Sequence, residues 1–185
     1  MFKIKVDEHI QLRIFTIEDS DELYKLTMDS KEHLRQWLGW IHAYYSIEDT
    51  KSFIRHTLDI AVKNDGYPLS FAIIYKNKIA GTIGFHSVSH INRSAAIGYW
   101  IGEQFVGKGI MSKCFNALLT YGYETLNFNR IEVHVAEGNK KSRAIPERFN
   151  FVEEGKLREA EWLYDHFVDH IVYSMLKREW VALHK

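Results

Sequence analysis

The sequence of 185 residues contains a single cysteine, Cys114. An internal disulfide is therefore impossible, which is typical of proteins from a reducing compartment. Apolar runs approaching the ~18 residues needed to span a bilayer are also absent. The opening residues MFKIKVDE lack the apolar segment and small-residue cleavage site of a secretory signal. We therefore expect a cytoplasmic protein with no membrane segment.

A charge excess of either sign is missing as well. The chain has 24 Lys and Arg against 24 Asp and Glu, so its formal net charge is zero. The composition therefore does not predict a nucleic-acid partner, which requires basic surface. With only two prolines, 11 glycines and 46% hydrophobic residues, the chain is neither disordered nor collagen-like. Its length predicts one domain over residues 1–185.

Hydrophobic spacing predicts the order strand, helices, three strands, long helix, strand, short helix, two strands. The one long helix between two strands requires a crossover connection, whereas hairpins join most other strands. The predicted class is therefore α/β in the mixed (α+β) sense. The predicted strands are 10–14, 69–75, 79–88, 95–101, 131–135, 157–163 and 167–176, and the predicted helices are 16–29, 31–40, one after Ser46, 108–126 and 142–149.

The segment Gln104–Met111 connects a predicted strand to the long helix and contains Gly107 and Gly109. Glycines let backbone amides approach a ligand closely, and a helix N-terminus carries partial positive charge. The segment is either a phosphate cradle or a tight turn without a ligand. It does not match the P-loop G-x-x-x-x-G-K-[ST]. The dinucleotide pattern G-x-G-x-x-G/A also fails, because Ser112 occupies the last position.

The spacing Gln104-x-x-Gly107-x-Gly109, after a strand and before a helix, resembles the acetyl-CoA pyrophosphate loop of the GNAT N-acetyltransferases. The predicted element order is similar to that fold over nearly the whole chain. Several separated segments resemble the family, and in particular its RimL type, the ribosomal-protein serine N-terminal acetyltransferases. These segments are Ile97–Ile101, Gly109–Ser112, Asn139–Ser142, Glu147–Phe151, Glu154–Gly155 and Glu159–Glu161.

The resemblance implies a central, mostly antiparallel mixed sheet flanked by helices, and one GNAT domain. It also implies direct attack of an amine on the thioester of acetyl-CoA, with no metal. The expected acceptor is the N-terminal α-amine of a ribosomal protein, without direct nucleic-acid or membrane contact, and a homodimer is compatible with it. The alternatives are a small-molecule amine, such as a polyamine or an aminoglycoside-like compound, and a non-catalytic acyl-CoA-binding module.

Residues that match the family's cofactor positions are expected to bind acetyl-CoA. The edge of the strand that ends in Trp100, Ile101 and Gly102 would pair with the pantetheine amides. Asn139 can offer that arm both a donor and an acceptor, or can instead cap a helix. The pyrophosphate would be held by the backbone of Gln104, Phe105, Val106, Gly107, Lys108, Gly109, Ile110 and Met111.

Two residues match the family's catalytic positions. Glu161 corresponds to the carboxylate that acts as base, and Ser142 to the donor for the leaving thiolate. Glu159, two residues from Glu161, is expected on the same strand face. Both carboxylates could instead be solvated strand residues, and Ser142 could cap the short helix. Tyr164 and Tyr173 remain alternative acids.

The sequence departs from the family pattern twice. Asn150 stands where a glycine is usual before Phe151, and asparagine tolerates left-handed backbone well. Pro146 lies inside the predicted short helix, where proline removes a hydrogen bond. A proline past the first turn is expected to kink this helix and to shift Ser142 relative to the rest of it.

The remaining candidates favour structural roles. Helical spacing with Phe115 and Leu118 predicts that Cys114 is a core residue, not a nucleophile. His166 and His170 are four residues apart, but they fall in a predicted strand, which argues against a helical metal pair. The aromatic residues of the N-terminal region either line the acceptor side of the cleft or pack structurally; they are Trp37, Trp40, Tyr44 and Tyr45.

Overall fold

The computed structural model describes residues 2–44 and 46–184, in which strands and helices follow the predicted order. The strands are β1 Lys3–Lys5, β2 Ile10–Arg13, β3 Ser70–Tyr75, β4 Lys78–Ser89, β5 Ser94–Ile101, β6 Arg130–Ala136, β7 Val152–Leu163 and β8 His166–Leu176. The helices are α1 Ser20–Asp29, α2 Lys31–Leu34, α3 Ile47–Lys63, α4 Ile110–Thr120, α5 Lys140–Arg148 and α6 Lys177–Leu183.

The strands form one mixed sheet in the order β1-β2-β3-β4-β5-β6-β8-β7. The predicted crossover is confirmed, because β5 and β6 pair in parallel with Ser94 opposite Arg130. Antiparallel pairing joins β1 to β2, β2 to β3, β3 to β4, β6 to β8 and β7 to β8. The predicted mostly antiparallel mixed sheet is therefore confirmed.

The chain divides into two compact units, each with its own buried residues. The first runs up to Gly84 and includes Tyr99–Leu118, and the second contains Phe85–Gly98 and the chain from Leu119 onward. In the first unit the buried side chains come from β2, β3, α3 and α4 and include Leu12, Phe71, Ile54 and Phe115. In the second unit they come from β6, β8 and the chain after α4 and include Ile131, Val133, Tyr173 and Tyr123.

Local sequence signals explain most element boundaries. The predicted cap of α3 is present, since the Ser46 N–H donates to Asp49 Oδ2 at 2.8 Å. The turn between β3 and β4 consists of Lys76 and Asn77, with φ of 48° and 63°, which matches the twist of a two-residue hairpin.

Several elements differ from the prediction. The predicted helix 31–40 ends at Leu34, because Leu38 is extended and Gly39 starts a separate 3₁₀ turn. The long helix is α-helical only to Thr120 and continues as a π-helical turn over Tyr121–Thr125. The short elements β1 and α6 were not predicted. A capping box starts α6, with the Leu176 N–H donating to Glu179 Oε2 at 2.8 Å.

Candidate active site

The loop from Gly102 to Gly109 lies in the first unit and leads from β5 into α4. A short 3₁₀ turn over Glu103–Phe105 follows Gly102. Gly107 and Gly109 then adopt φ of +79° and +71° just before α4 begins. Left-handed backbone disfavours residues with a Cβ, so glycine is favoured at both positions. The first N–H groups of a helix have no acceptor within it, and here they follow directly on this loop.

The space beside the two glycines suits an anionic ligand. A Cβ built on Gly107 or on Gly109 would meet no heavy atom within 4 Å. The Lys108 ammonium lies 5.4 Å from the centre of the Phe105 ring, which places a cation on the loop itself. Open backbone, a helix N-terminus and a nearby cation are the elements of a phosphate-binding site.

Contacts within the first unit fix the start of the loop. The Gly102 N–H donates to the Ala80 carbonyl at 2.8 Å, and the Glu103 N–H donates to Ser30 Oγ at 3.1 Å. A Cβ at Gly102 would lie 2.5 Å from Leu26 Cδ1. A side chain at this position would therefore push the loop away from α1.

The predicted cofactor residues differ in how exposed their side chains are. Phe105, Ile110 and Met111 are buried, so their side chains belong to the core. Gln104, Gly107, Lys108 and Gly109 are exposed, and Val106 is half-buried. Trp100 and Ile101 are half-buried at the end of β5.

An aromatic cluster of the first unit adjoins the end of β5. The Trp40 ring centre lies 6.3 Å from that of Trp100 and 5.4 Å from that of Tyr44. Tyr44 stacks on Tyr24 with 6.2 Å between ring centres. Tyr45, which was predicted with this group, lies outside the described residues. An acceptor-side role for the cluster stays a prediction.

In the second unit, Asn139 is the N-cap of α5. Its side-chain Oδ1 accepts the Ser142 N–H at 3.2 Å, so the helix-cap alternative is confirmed for Asn139. The amide nitrogen of a capping asparagine still carries two N–H donors. Ser142 is the third residue of α5, and the cap alternative is therefore wrong for Ser142.

The two departures from the family pattern, Pro146 and Asn150, both take part in the hydrogen bonds that end α5. The Phe151 N–H donates to the Pro146 carbonyl at 3.0 Å, and the Asn150 N–H donates to the Glu147 carbonyl at 3.1 Å. With Asn150 at φ of 60°, these bonds form a Schellman motif. Pro146 is buried within a continuous helix, although it has no N–H for the carbonyl of Ser142 four residues earlier.

Glu161 lies on β7 and contacts β8. Its Oε2 is 2.9 Å from His170 Nε2, and the side chain of Glu161 is 32% exposed. Glu159 has φ of 50°, and the register of β7 shifts between Leu157 and Glu161. Side chains therefore do not alternate regularly between the faces of β7 at this point. The expectation that Glu159 and Glu161 share a face assumed such alternation and loses its basis.

Tyr173, an alternative acid, is buried and bonded to α5. Its hydroxyl donates to Glu147 Oε1 at 2.7 Å and accepts from Arg143 Nε at 2.8 Å. Burial raises the pKa of Tyr173, and its hydrogen bond with Glu147 raises that pKa further. Residues three apart on a strand point to opposite faces, so Tyr173 and His170 lie on opposite faces of β8. Helix α5 contacts one face at Tyr173, and Glu161 contacts the other at His170.

Cys114 is fully buried, and burial raises the pKa of its thiol to about 12. The predicted core role is therefore confirmed, because a thiolate is the reactive form of cysteine. His166 and His170 lie on strand β8, as expected. Within residues 2–44 and 46–184, His, Cys, Asp and Glu form no group of three or more suited to a metal ion. Over the same ranges, helices long and apolar enough to cross a bilayer are not found.

The sequence prediction missed His170 as the partner of Glu161 and Arg143 as the partner of Tyr173. Side chains alternate between the two faces of a strand, so the predicted strand 167–176 already places His170 and Tyr173 on opposite faces. Their individual partners depend on the register of β7 and the docking of α5, which local patterns do not encode.

A mixed sheet with a glycine loop at the N-terminus of its crossover helix is the arrangement expected of an acyl-CoA-dependent transferase. The profile of the acetyltransferase (GNAT) domain matches residues 9–152, and this chain belongs to that family. It is therefore an acetyltransferase whose acetyl donor is acetyl-CoA.

Two curated proteins resemble the chain over almost its full length. One is the putative ribosomal N-acetyltransferase YdaF of Bacillus subtilis, 36% identical over 185 residues, covering 97% of this chain and 98% of that protein. Another is the ribosomal-protein-serine acetyltransferase of Escherichia coli, 30% identical over 173 residues, covering 94% and 96%. A solved structure of RimL, the ribosomal L7/L12 alpha-N-protein acetyltransferase in complex with coenzyme A, superposes with a TM-score of 0.89 at 28% identity, covering 95% of this chain and 98% of that one.

Proposed function

We propose that this acetyltransferase transfers the acetyl group of acetyl-CoA to the N-terminal α-amine of a ribosomal protein. Near full-length similarity to acetyltransferases with that acceptor supports the choice of amine. The structural observation that supports acetyl-CoA binding is the loop before α4, where Gly107 and Gly109 adopt left-handed backbone and leave room for an anion.

The cofactor-binding residues of the proposal follow the family match. The backbone of residues 104–111 holds the pyrophosphate, since three of its side chains are buried and unable to reach a ligand. The end of β5 at Trp100, Ile101 and Gly102 pairs with the pantetheine amides as an added strand would. Asn139 contributes through its N–H donors, because its Oδ1 accepts the Ser142 N–H.

In the proposed reaction the amine attacks the thioester directly. An α-amine has a reference pKa of about 8 and is mostly protonated at neutral pH, so a base must first remove its proton. Glu161 takes that proton through a water molecule. The nitrogen lone pair then forms a bond to the carbonyl carbon and gives a tetrahedral intermediate. As this intermediate collapses, the carbon–sulfur bond breaks, Ser142 donates a hydrogen bond to the departing sulfur, and the second proton of the nitrogen ends on that sulfur as the amide and the coenzyme A thiol form.

The proposed domain extent, cellular location, partners and oligomeric state rest on the similarity to the acetyltransferase family. We place the single catalytic domain over residues 1–185, in the cytoplasm, where ribosomes and acetyl-CoA meet. Balanced charge, with 24 cationic and 24 acidic residues, favours contact with the acceptor protein over contact with RNA. A homodimer is part of the proposal, and light scattering after size-exclusion chromatography tests it.

Release of the coenzyme A thiol, measured against a panel of acceptors, tests the proposed function. The panel contains serine-starting peptides, polyamines and aminoglycosides, with Glu161→Gln as the matched variant. Peptide-selective release that Glu161→Gln lowers, with acetyl-CoA affinity unchanged, is the expected result. Selective release with a polyamine or a drug would replace the acceptor by a small molecule. Tight acetyl-CoA binding without release for any acceptor would support a binding module instead.

A further inference from the structure

The carboxylate of Glu161 is held by a histidine on the neighbouring strand. His170 Nε2 lies 2.9 Å from Glu161 Oε2, and the two side chains are 18% and 32% exposed. A carboxylate can only accept a hydrogen bond, so the ring nitrogen that faces it carries the proton. The bond therefore runs from His170 Nε2–H to Oε2 and leaves Oε1 of Glu161 as the second acceptor.

An irregularity in β7 creates this pair. Leu157 lies opposite His170, and a regular antiparallel ladder continued from that pair would set Glu161 opposite His166. Instead, Glu161 lies opposite Val168. Two extra residues in β7 thus move Glu161 along β8 toward His170 by roughly 7 Å, at about 3.4 Å per residue.

The side chain next to His170 holds the bulge in place. Asp169 Oδ1 accepts the N–H of Glu159 at 2.8 Å, at the residue where β7 adopts φ of 50°. The other carboxylate oxygen of Asp169 lies 3.6 Å from Lys156 Nζ. One short stretch of β8 therefore provides both the anchor of the bulge and the partner of Glu161.

We propose that His170 is a positioning residue for Glu161: its ring N–H donates to one carboxylate oxygen and leaves the other to take the proton of the attacking amine. The inference rests on the proposed function, in which Glu161 is the base. Bulges next to functional sites commonly redirect a side chain in this way.

Charged groups on the neighbouring strands and turns form pairs of their own. Lys156 Nζ lies 2.8 Å from Glu137 Oε1, and His166 Nδ1 lies 2.6 Å from Asp165 Oδ1. On β6, His134 Nε2 lies 2.7 Å from Glu132 Oε2, in a histidine–glutamate pair of the same kind. His134 therefore offers a matched control for the loss of such a pair.

The test measures kcat and KM for a peptide acceptor in the wild type, His170→Ala, His170→Gln and His134→Gln. We expect His170→Ala to lower kcat about 10- to 100-fold, since small misplacements of a reacting group cost that much. His170→Gln keeps an N–H donor at this position, so it should restore most of kcat. The KM for acetyl-CoA should stay unchanged throughout, and His134→Gln should match the wild type.

Glu161→Gln, measured beside these variants, separates the two levels of the proposal. Reduced turnover in Glu161→Gln, with both His170 variants like the wild type in kcat, would overturn the role of His170 and leave the base in place. Unchanged turnover in Glu161→Gln would overturn both. If His170→Ala does not fold, His170→Phe takes its place, because it keeps a ring and lacks the N–H donor. A wild-type kcat in that variant contradicts the proposal.

Discussion

Replacement of Gly109 by alanine separates the two interpretations of the loop, a ligand cradle and a simple turn. The added Cβ meets no heavy atom within 4 Å, so the substitution introduces no clash in the protein itself. It does force alanine into φ of +71°, and left-handed backbone costs a residue with a Cβ about 1–2 kcal/mol. A loss of about 1 kcal/mol in the free energy of unfolding remains after the benefit of a less flexible unfolded chain.

Gly66 provides a matched control in the turn after α3. Its φ is +81°, and a Cβ there would also meet no heavy atom within 4 Å. Gly66→Ala should therefore lose about the same stability as Gly109→Ala, roughly 1 kcal/mol. Only Gly109 belongs to the proposed cradle, so only Gly109→Ala should weaken acetyl-CoA binding.

The size of the binding loss follows from the hydrogen bonds involved. A hydrogen bond to a charged group contributes about 1.5–3 kcal/mol, so displacing one backbone N–H from the pyrophosphate should weaken binding about 10- to 100-fold. Urea unfolding measures stability, and isothermal titration calorimetry measures acetyl-CoA affinity. Equal stability losses in the two variants, with acetyl-CoA bound by Gly109→Ala as tightly as by the wild type, would refute the cradle.

Three further substitutions test other parts of the account. Ser142→Ala should lower turnover roughly 10- to 1000-fold with unchanged acetyl-CoA affinity, as expected for a lost donor; a change in urea stability alone would refute that role. Cys114→Ala should keep its turnover while losing about 1 kcal/mol of stability, because the thiol is buried; inactivation would make it catalytic. A hydrogen bond from Arg130 lowers the pKa of Glu154 from 4.5 to about 2. The folded-state pKa lies below the unfolded one, so this contribution is present above about pH 4.5 and is lost as the pH falls toward 2. Because Glu154 is 40% exposed, the contribution is at most about 1 kcal/mol. Glu154→Gln should therefore have a lower free energy of unfolding in urea than the wild type at pH 7, and the difference should shrink near pH 3. An equal difference at both pH values would contradict this pH dependence.

Local sequence patterns predict those parts of the fold that depend on local physics. Period-two alternation located the central strands, and the capping pair Ser46 and Asp49 located the start of α3. The left-handed conformations of Gly107, Gly109 and Asn150 follow from residue type, since these residues tolerate positive φ. The glycines of the loop before α4 could therefore be predicted from the sequence, whereas its 3₁₀ turn over Glu103–Phe105 was not.

The surroundings of Glu161 could not be predicted in this way. Its contact with His170 requires two extra residues in β7, held by a hydrogen bond from Glu159 to Asp169. A period-two pattern assumes that no such bulge exists, and for that reason the expected shared face of Glu159 and Glu161 fails. In the same way, the burial of Tyr173 against α5 depends on tertiary packing.

The central claim is that acetyl-CoA donates its acetyl group to the α-amine of a protein. The most direct measurement is tandem mass spectrometry of a purified serine-starting ribosomal protein after incubation with the enzyme and acetyl-CoA. The account predicts one added acetyl group on the N-terminal amine, reduced in amount with Glu161→Gln. Acetyl groups on lysine side chains, or an unmodified protein under conditions in which a polyamine is acetylated, would contradict it.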